Sequence, residues 1–135
     1  MITEALKQFD AIRPFEPEEL PEVYDRLLAD PQFNKVLAYL YPGLPVEAIA
    51  ARMRQCATNI EFQKVFCYEF VKKLLAKAST GCDIDIQSID IDSRYTFISN
   101  HRDIVLDSAL LDVMLFDSHC STTCEIAIGD NLLAL

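Results

Sequence analysis

The stretch "YTFISNHRDIVLDSALLDVMLF", residues 95–116, decides which fold the sequence predicts. Its first five residues are rich in aromatic and β-branched side chains, which is typical of a short inner strand. From residue 105 onward the apolar side chains return at helical spacing, as shown by Val105, Ala109, Val113 and Phe116. The stretch therefore predicts a strand that leads directly into a helix.

The flanking segments extend this pattern on both sides. Residues 82–92, "CDIDIQSIDID", alternate isoleucine with polar residues, and a period of two predicts a strand or hairpin. Residues 124–129, "CEIAIG", resemble a further buried strand. Strand, helix and strand in this order form a βαβ unit, so the predicted fold class is α/β, with α+β as the alternative. Two or three strands leave unpaired edges, so we expect residues 81–135 to be an incomplete, truncated α/β domain.

The first part of the chain carries a different, helical periodicity. Four helices are predicted between residues 16 and 79, the last and longest from about Asn59 to Ala78, and they make residues 1–80 an N-terminal helical region. The punctuation agrees with this interpretation, because Asp30 can cap a helix that has Pro31 at its first position. Pro42 and Gly43 mark the end of that helix.

Composition excludes several classes of function. The chain has 135 residues, 51% of them apolar, and a net charge of −9. A chain this acidic lacks the phosphate attraction on which nucleic-acid binding depends, so no nucleic-acid partner is expected. No segment reaches the ~20 uncharged apolar residues of a membrane span, and the first residues lack the pattern of a secretory signal. We therefore expect a cytoplasmic protein whose five cysteines are reduced.

One of the two histidines, His101, lies between the predicted strand and the predicted helix. Side chains at that position project from the carboxyl edge of a sheet, where α/β proteins commonly place their chemistry. An imidazole can take up a proton near neutral pH, and a nearby carboxylate can orient it. Asp107 is the favoured partner, because Asp103 is expected to cap the helix, although Asp103 remains the alternative.

The segment "SNHRDIVLDSA", residues 99–109, resembles the first signature of the glycerolipid acyltransferases, which act on glycerol-3-phosphate and 1-acylglycerol-3-phosphate. That signature places Asn or Ser before His, then four residues, then Asp, between a strand and a helix. Here five residues separate His101 from Asp107. The segment "EIAIGDNLL", residues 125–133, is similar to the strand and turn that come after this signature, and the helical front is similar to that of bacterial members. The two later family signatures are absent, so the resemblance is to an N-terminal part.

The resemblance implies an O-acyltransferase of phospholipid biosynthesis. His101 would act as the general base on a glycerol hydroxyl that attacks the thioester of acyl-CoA or acyl carrier protein, and Asp107 would orient the imidazole. The acceptor would be a glycerol phosphate or a lysophospholipid. No cofactor and no metal are implied, and peripheral contact with the inner face of the membrane is left open. Because half a sheet seldom closes a pocket, we expect the 135-residue chain to be inactive alone.

Other interpretations remain open. A non-catalytic interaction module or pseudo-enzyme fragment would carry the same His/Asp pair without using it. Metal-dependent hydrolysis by His101, Asp103 and Asp107 has suitable ligand types but lacks further histidines. His119, Cys120 and Cys124 could suggest zinc, but no fourth ligand is evident. Arg102 could contact a phosphate or pair with a neighbouring aspartate.

Overall fold

The described part of the chain is a stack of short helices, and a further helix packs against the last of them after a long loop. The computed structural model describes residues 4–127. After two 3₁₀ turns, Glu4–Phe9 and Pro17–Glu19, the helices are α1 (Leu20–Ala29), α2 (Pro31–Leu40), α3 (Val46–Arg54), α4 (Asn59–Phe62), a π-helical segment (Gln63–Tyr68), α5 (Glu69–Ala78) and α6 (Leu106–Asp117). The four predicted helices are therefore confirmed, the fourth being continuous from α4 through the π segment to α5.

Local capping sets the helix boundaries. The Asp30 carboxylate accepts hydrogen bonds from the backbone N–H groups of Gln32 at 2.6 Å and Phe33 at 3.0 Å, which satisfies the first amides of α2. Thr58 caps α4 in the same way through Glu61 N–H. Gly43 adopts a positive φ of 88°, so the chain can turn sharply between α2 and α3.

The core lies where α1, α2, α3 and the π segment meet. Its buried members are mostly apolar side chains that these elements contribute: Leu20, Tyr24, Leu37, Ile49, Met53, Cys56 and Phe66. Met53 is completely buried at its centre. Two tyrosine hydroxyls bind backbone carbonyls at 3.2 Å, Tyr24 to Cys56 and Tyr41 to Phe66, so the polar tips of these rings are satisfied.

The α/β prediction was wrong, because residues 4–127 contain no β-strand. Residues 82–92 are irregular with turns at residues 87–88 and 91–92, and Asp85 and Asp90 accept hydrogen bonds from the amides of Gln87 and Asp92 at 3.0 and 3.1 Å. These aspartates satisfy the backbone locally, in competition with a strand ladder. The alternation of isoleucine with aspartate therefore does not produce a sheet.

The other two predicted strands are also absent from the described part of the chain. Residues 95–99 are exposed, and Ile98 is 94% exposed to solvent. Residues 124–127 form no strand, and residues 128 and 129 lie outside the described range. A strand requires hydrogen bonds from a neighbouring strand, and none exists within residues 4–127, so β propensity alone did not create one.

Helix α6 contacts the helical stack through its C-terminal end. Tyr68 of the π segment packs edge-on against Phe116, with the ring centroids 5.1 Å apart. Lys72 of α5 donates a hydrogen bond to Asp117 Oδ2 at 2.7 Å. These contacts fix α6 beside α5, and they determine where its first turn and the preceding loop lie.

Candidate functional site

The loop that carries His101 is organised by two aspartates at the start of α6. Oδ1 of Asp103 accepts hydrogen bonds from the N–H groups of Val105 at 2.9 Å and Leu106 at 2.8 Å. These amides would otherwise lack partners at the helix terminus. Asp103 therefore performs the capping function that the sequence suggested for it.

Asp107 lies one turn further and points back at the loop. Its Oδ2 accepts the N–H groups of Arg102 at 2.7 Å and Asp103 at 2.9 Å, and it lies 3.2 Å from Nδ1 of His101. One carboxylate oxygen thus holds two backbone amides and one imidazole. The backbone bonds fix the carboxylate, and the carboxylate in turn fixes the ring.

The electrostatics of this arrangement favour a charged Asp107. Hydrogen bonds from the backbone of Asp103 and Arg102, followed by the His101 side chain, lower the pKa of Asp107. An ionised Asp107 can accept a hydrogen bond from Nδ1–H of His101, and in that tautomer Nε2 has a free lone pair. The His101 side chain is 70% exposed, so an incoming hydroxyl can reach the ring.

The structure brings together the two residues that the sequence proposed as catalytic, His101 and Asp107. Of the two candidate partners, Asp107 contacts the imidazole, while Oδ1 of Asp103 is occupied by the first amides of the helix. The additional residue between His101 and Asp107 is accommodated in the loop, since α6 begins at Leu106. The pairing therefore does not require Asp107 to occupy a different face of the helix.

An apolar groove lies next to this loop, and sequence patterns did not reveal it. The groove has a volume of about 470 Å³ and runs between the π segment and α6. Ile104 and Val105, from the loop that carries His101, form part of its wall. A π turn has no recognised sequence signature, and its bulge is what departs from the regular helix predicted over residues 59–78.

The second histidine, His119, has a backbone role. It adopts a left-handed conformation with φ of 67° just after α6, and its N–H donates to the carbonyl of Phe116 at 3.0 Å. This is the geometry in which helices often end. Within the described part of the chain, no group of three or more His, Cys, Asp and Glu side chains could hold a metal ion.

Two further findings concern the chain as a whole. No helix within residues 4–127 combines the length and apolar character needed to cross a bilayer. No protein-family model, curated protein or solved structure matches the chain. The geometry of the His101 loop and its surroundings is therefore the basis for assigning a function.

Proposed function

We propose that this chain provides the His/Asp centre of an O-acyltransferase, which transfers a fatty acyl group from a thioester to a hydroxyl of a glycerol-phosphate-type acceptor. The donor is acyl-CoA or acyl carrier protein, and the acceptor is a glycerol phosphate or a lysophospholipid. Because a lysophospholipid acceptor and the acylated products are amphiphilic, we expect the reaction in the cytoplasm at the inner face of the membrane. The protein contacts that membrane peripherally.

The observation that carries this proposal is the 3.2 Å contact between His101 Nδ1 and Asp107 Oδ2, with the carboxylate held by two backbone amides. An exposed histidine that merely occupies a loop has no need of an immobilised carboxylate. A general base does need one, because the carboxylate fixes the tautomer and stabilises the imidazolium that forms. The base is also exposed, so its free nitrogen can meet a substrate.

The chemistry requires a single proton carrier. As the acceptor hydroxyl attacks the thioester carbonyl, its proton moves to Nε2 of His101 and a new C–O bond forms. The C–S bond then breaks, and the departing thiolate takes the proton from the imidazolium. Asp107 remains ionised throughout, which agrees with the direction of its pKa shift. No covalent enzyme intermediate is needed.

Charge near His101 also suits a phosphorylated substrate. Arg102 is exposed, and within the described residues its guanidinium forms no ion pair with a carboxylate. The local pairing with an aspartate that the sequence suggested is therefore not formed. A planar guanidinium binds phosphate oxygens in bidentate fashion, so Arg102 is the group proposed to meet the acceptor phosphate.

The test compares two substitutions of the same kind. Radiolabelled palmitoyl-CoA and glycerol-3-phosphate or its monoacyl derivative are incubated with the wild-type chain, His101→Asn and His119→Asn, and the lipid product is counted. The chain alone is expected to have little or no turnover, which is why a sensitive radiometric assay is used. Loss of the base should reduce the rate by about 10²-fold or more, whereas His119→Asn should leave it unchanged, since Asn tolerates the left-handed conformation.

A second measurement does not depend on turnover. Nitrogen NMR of the imidazole reports which ring nitrogen carries the proton, and the proposal expects protonated Nδ1 and unprotonated Nε2 in neutral His101. Asp107→Asn should abolish that preference. The proposal fails if His101→Asn forms product at the wild-type rate, or if the opposite tautomer dominates in the wild-type chain.

The exposed apolar residues favour a second candidate, a non-catalytic interaction module. Ile98 is 94% exposed, and Tyr95, Phe97, Ile104 and Val105 are also exposed, so one extended segment presents apolar side chains to solvent. Surfaces of this kind often mark protein contacts. On this hypothesis, Ile98→Ser would abolish self-association or partner binding in sedimentation experiments, and His101→Asn would have no effect on it.

A further inference from the structure

The groove beside the His101 loop has three walls that are all held in place. The π segment contributes one wall, α6 contributes the second, and residues 121–126 contribute the third. Thr123 donates to Gln63 Oε1 at 2.8 Å, and Cys124 N–H donates to Asp112 Oδ1 at 2.7 Å, so the third wall is tied to both of the others. The groove is therefore a built feature of the chain, at a π turn, and π turns are frequent at functional sites.

The groove and the His/Asp centre share one short loop. Ile104 and Val105 line the groove, while the two residues before them, Arg102 and Asp103, donate the amides that hold Asp107. A molecule lying along the groove wall at Val105 therefore contacts the loop that carries His101. This continuity connects an apolar site with a proton-transfer site.

The lining of the groove favours one kind of occupant. It is mostly apolar and includes Val71, Val113 and Ile126, and the groove volume of about 470 Å³ is in the range of small-molecule sites. Lys64 lies near the opposite end of α6 from Val105, with Nζ 4.9 Å from the centre of the Phe116 ring. A groove of this size and character, beside the proposed transfer site, fits the hydrocarbon chain of an acyl donor.

The acidic group in the groove is consistent with such a ligand. Burial raises the pKa of Asp112, whose Oδ1 also receives the Cys124 amide. A carboxyl group whose pKa is raised is more easily protonated. The neutral form is less costly beside a hydrocarbon chain than an ionised carboxylate.

We infer that the groove between the π segment and α6 binds the fatty acyl chain of the thioester donor. This inference rests on the proposed function, and it deepens it by assigning the donor's chain to residues of the helical region. The acyl carbonyl then lies at the Val105 end of the groove, towards His101.

Binding can be measured without turnover. cis-Parinaric acid, a fluorescent polyene fatty acid, is titrated into the wild-type chain, Ala109→Phe, Ala51→Phe and His101→Asn. Ala109 lines the groove on α6, and Ala51 is an exposed helical alanine of α3 outside it. Filling the groove with the phenyl ring should weaken binding of the probe by about tenfold or more, because a close-packed site does not accommodate an added ring. Ala51→Phe and His101→Asn should bind as the wild type does.

A second pair of measurements covers the case in which Ala109→Phe does not fold, as judged by circular dichroism. Ile126→Asp places a carboxylate at a half-exposed position of the groove wall, and it should also weaken binding of the probe about tenfold. Decanoyl-CoA should displace the probe from the wild-type chain and should bind about tenfold more weakly to Ile126→Asp.

The results separate this inference from the function on which it rests. If the wild-type chain shows no saturable probe binding, or if the folded groove variants bind like the wild type, the acyl-chain site is wrong whatever the His101 assay shows. If probe binding is lost in the groove variants while His101→Asn keeps full turnover, the groove assignment holds and the proposed base is wrong.

Discussion

The hydroxyl of Tyr68 donates a hydrogen bond to Oδ1 of Asp117 at 2.5 Å, and Lys72 occupies the other oxygen of the same carboxylate at 2.7 Å. One acidic side chain at the end of α6 thereby receives two donors from the helix on which α6 packs. Hydrogen bonds first from Lys72 and then from Tyr68 lower the pKa of Asp117. The orientation of α6, and with it the groove, depends on this carboxylate.

Replacing Asp117 should therefore loosen α6 selectively. Asp117→Asn removes the charge that attracts Lys72, and we expect a melting temperature lower by a few degrees at neutral pH. Glu69→Gln, an exposed carboxylate next to Tyr68, is the matched control and should melt like the wild type. Because the folded-state pKa of Asp117 is lowered, its contribution is complete above the unfolded pKa of about 3.9 and is lost as pH falls further. A difference between variant and wild type that persists unchanged at pH ~2 would contradict this assignment.

Acid should also open the His101 loop. The backbone amides of Asp103 and Arg102 lower the pKa of Asp107, so protonation of that carboxylate in the folded chain requires a pH below the usual aspartate value of about 3.9. Proton NMR of the two amides across pH 2 to 7 measures this directly, and we expect both signals to shift together with one apparent pKa below that of an unperturbed aspartate. In Asp107→Asn the shared transition should disappear, and its persistence would show that another group controls the loop.

Replacing Arg102 should weaken binding of the acceptor and leave proton transfer by His101 unchanged. If the guanidinium meets the acceptor phosphate, Arg102→Gln should raise the KM for glycerol-3-phosphate about tenfold while changing kcat little. Arg94→Gln removes another exposed arginine that has no ion pair among the described residues, and it should leave both constants unchanged. A lower kcat with an unchanged KM would move Arg102 from substrate binding to the transition state.

The helical core should depend strongly on Met53. This side chain is completely buried among α1, α2, α3 and the π segment, so Met53→Ala should lower the free energy of unfolding by about 2 to 5 kcal/mol. Leu44→Ala truncates a side chain that is 52% exposed, and we expect it to cost less than about 1 kcal/mol. Urea denaturation followed by circular dichroism compares the two, and equal costs would show that the core lies elsewhere.

The cap of α2 should contribute a smaller, measurable amount. Asp30→Ala removes the acceptor for the amides of Gln32 and Phe33, and we expect a loss of about 1 kcal/mol in the free energy of unfolding. Asp25→Ala breaks an exposed ion pair with Arg54 and should cost no more than about 0.5 kcal/mol. A larger loss from Asp25→Ala than from Asp30→Ala would be inconsistent with the capping role.

The helical part of the fold could be predicted because its signals are local. The adjacent residues Asp30 and Pro31 mark the start of α2. Gly43 marks the turn after α2, where it adopts a positive φ. The helix from Asn59 to Ala78 was predicted from its apolar spacing, but the π turn inside it was not. One additional residue in a helical turn changes the spacing too little to be recognised in the sequence.

The sheet could not be predicted correctly because a strand is not a local structure. Ile84 and Ile86 alternate with aspartates as a half-buried strand would, yet the aspartates bind nearby amides and form turns. The run at residues 95–99 has high β propensity but has no neighbouring strand within the described residues. Period-two patterning indicates which side chains share a face, and it does not supply the second strand.

The sequence predicted which residues form the candidate site, but it did not predict the packing around them. Residue types and spacing pointed to His101 and Asp107, and the structure places them 3.2 Å apart. The role of Arg102 as an unpaired cation and the groove beside Val105 depend on tertiary packing, which local sequence patterns do not encode directly. Whether the pair performs acyl transfer stays a prediction.

The π segment affects how the groove between it and α6 can change through evolution. Removing a single codon within residues 63–68 would allow a regular α-helix, because the wide turn contains one residue more than an α turn and absorbs it without turning the helix that follows. Helix α5 would then keep its orientation and its contact between Lys72 and Asp117, while the groove wall at the bulge would change shape. Gain or loss of one amino acid at this position is thus a simple route by which related chains could reshape the groove without disturbing the core around Met53.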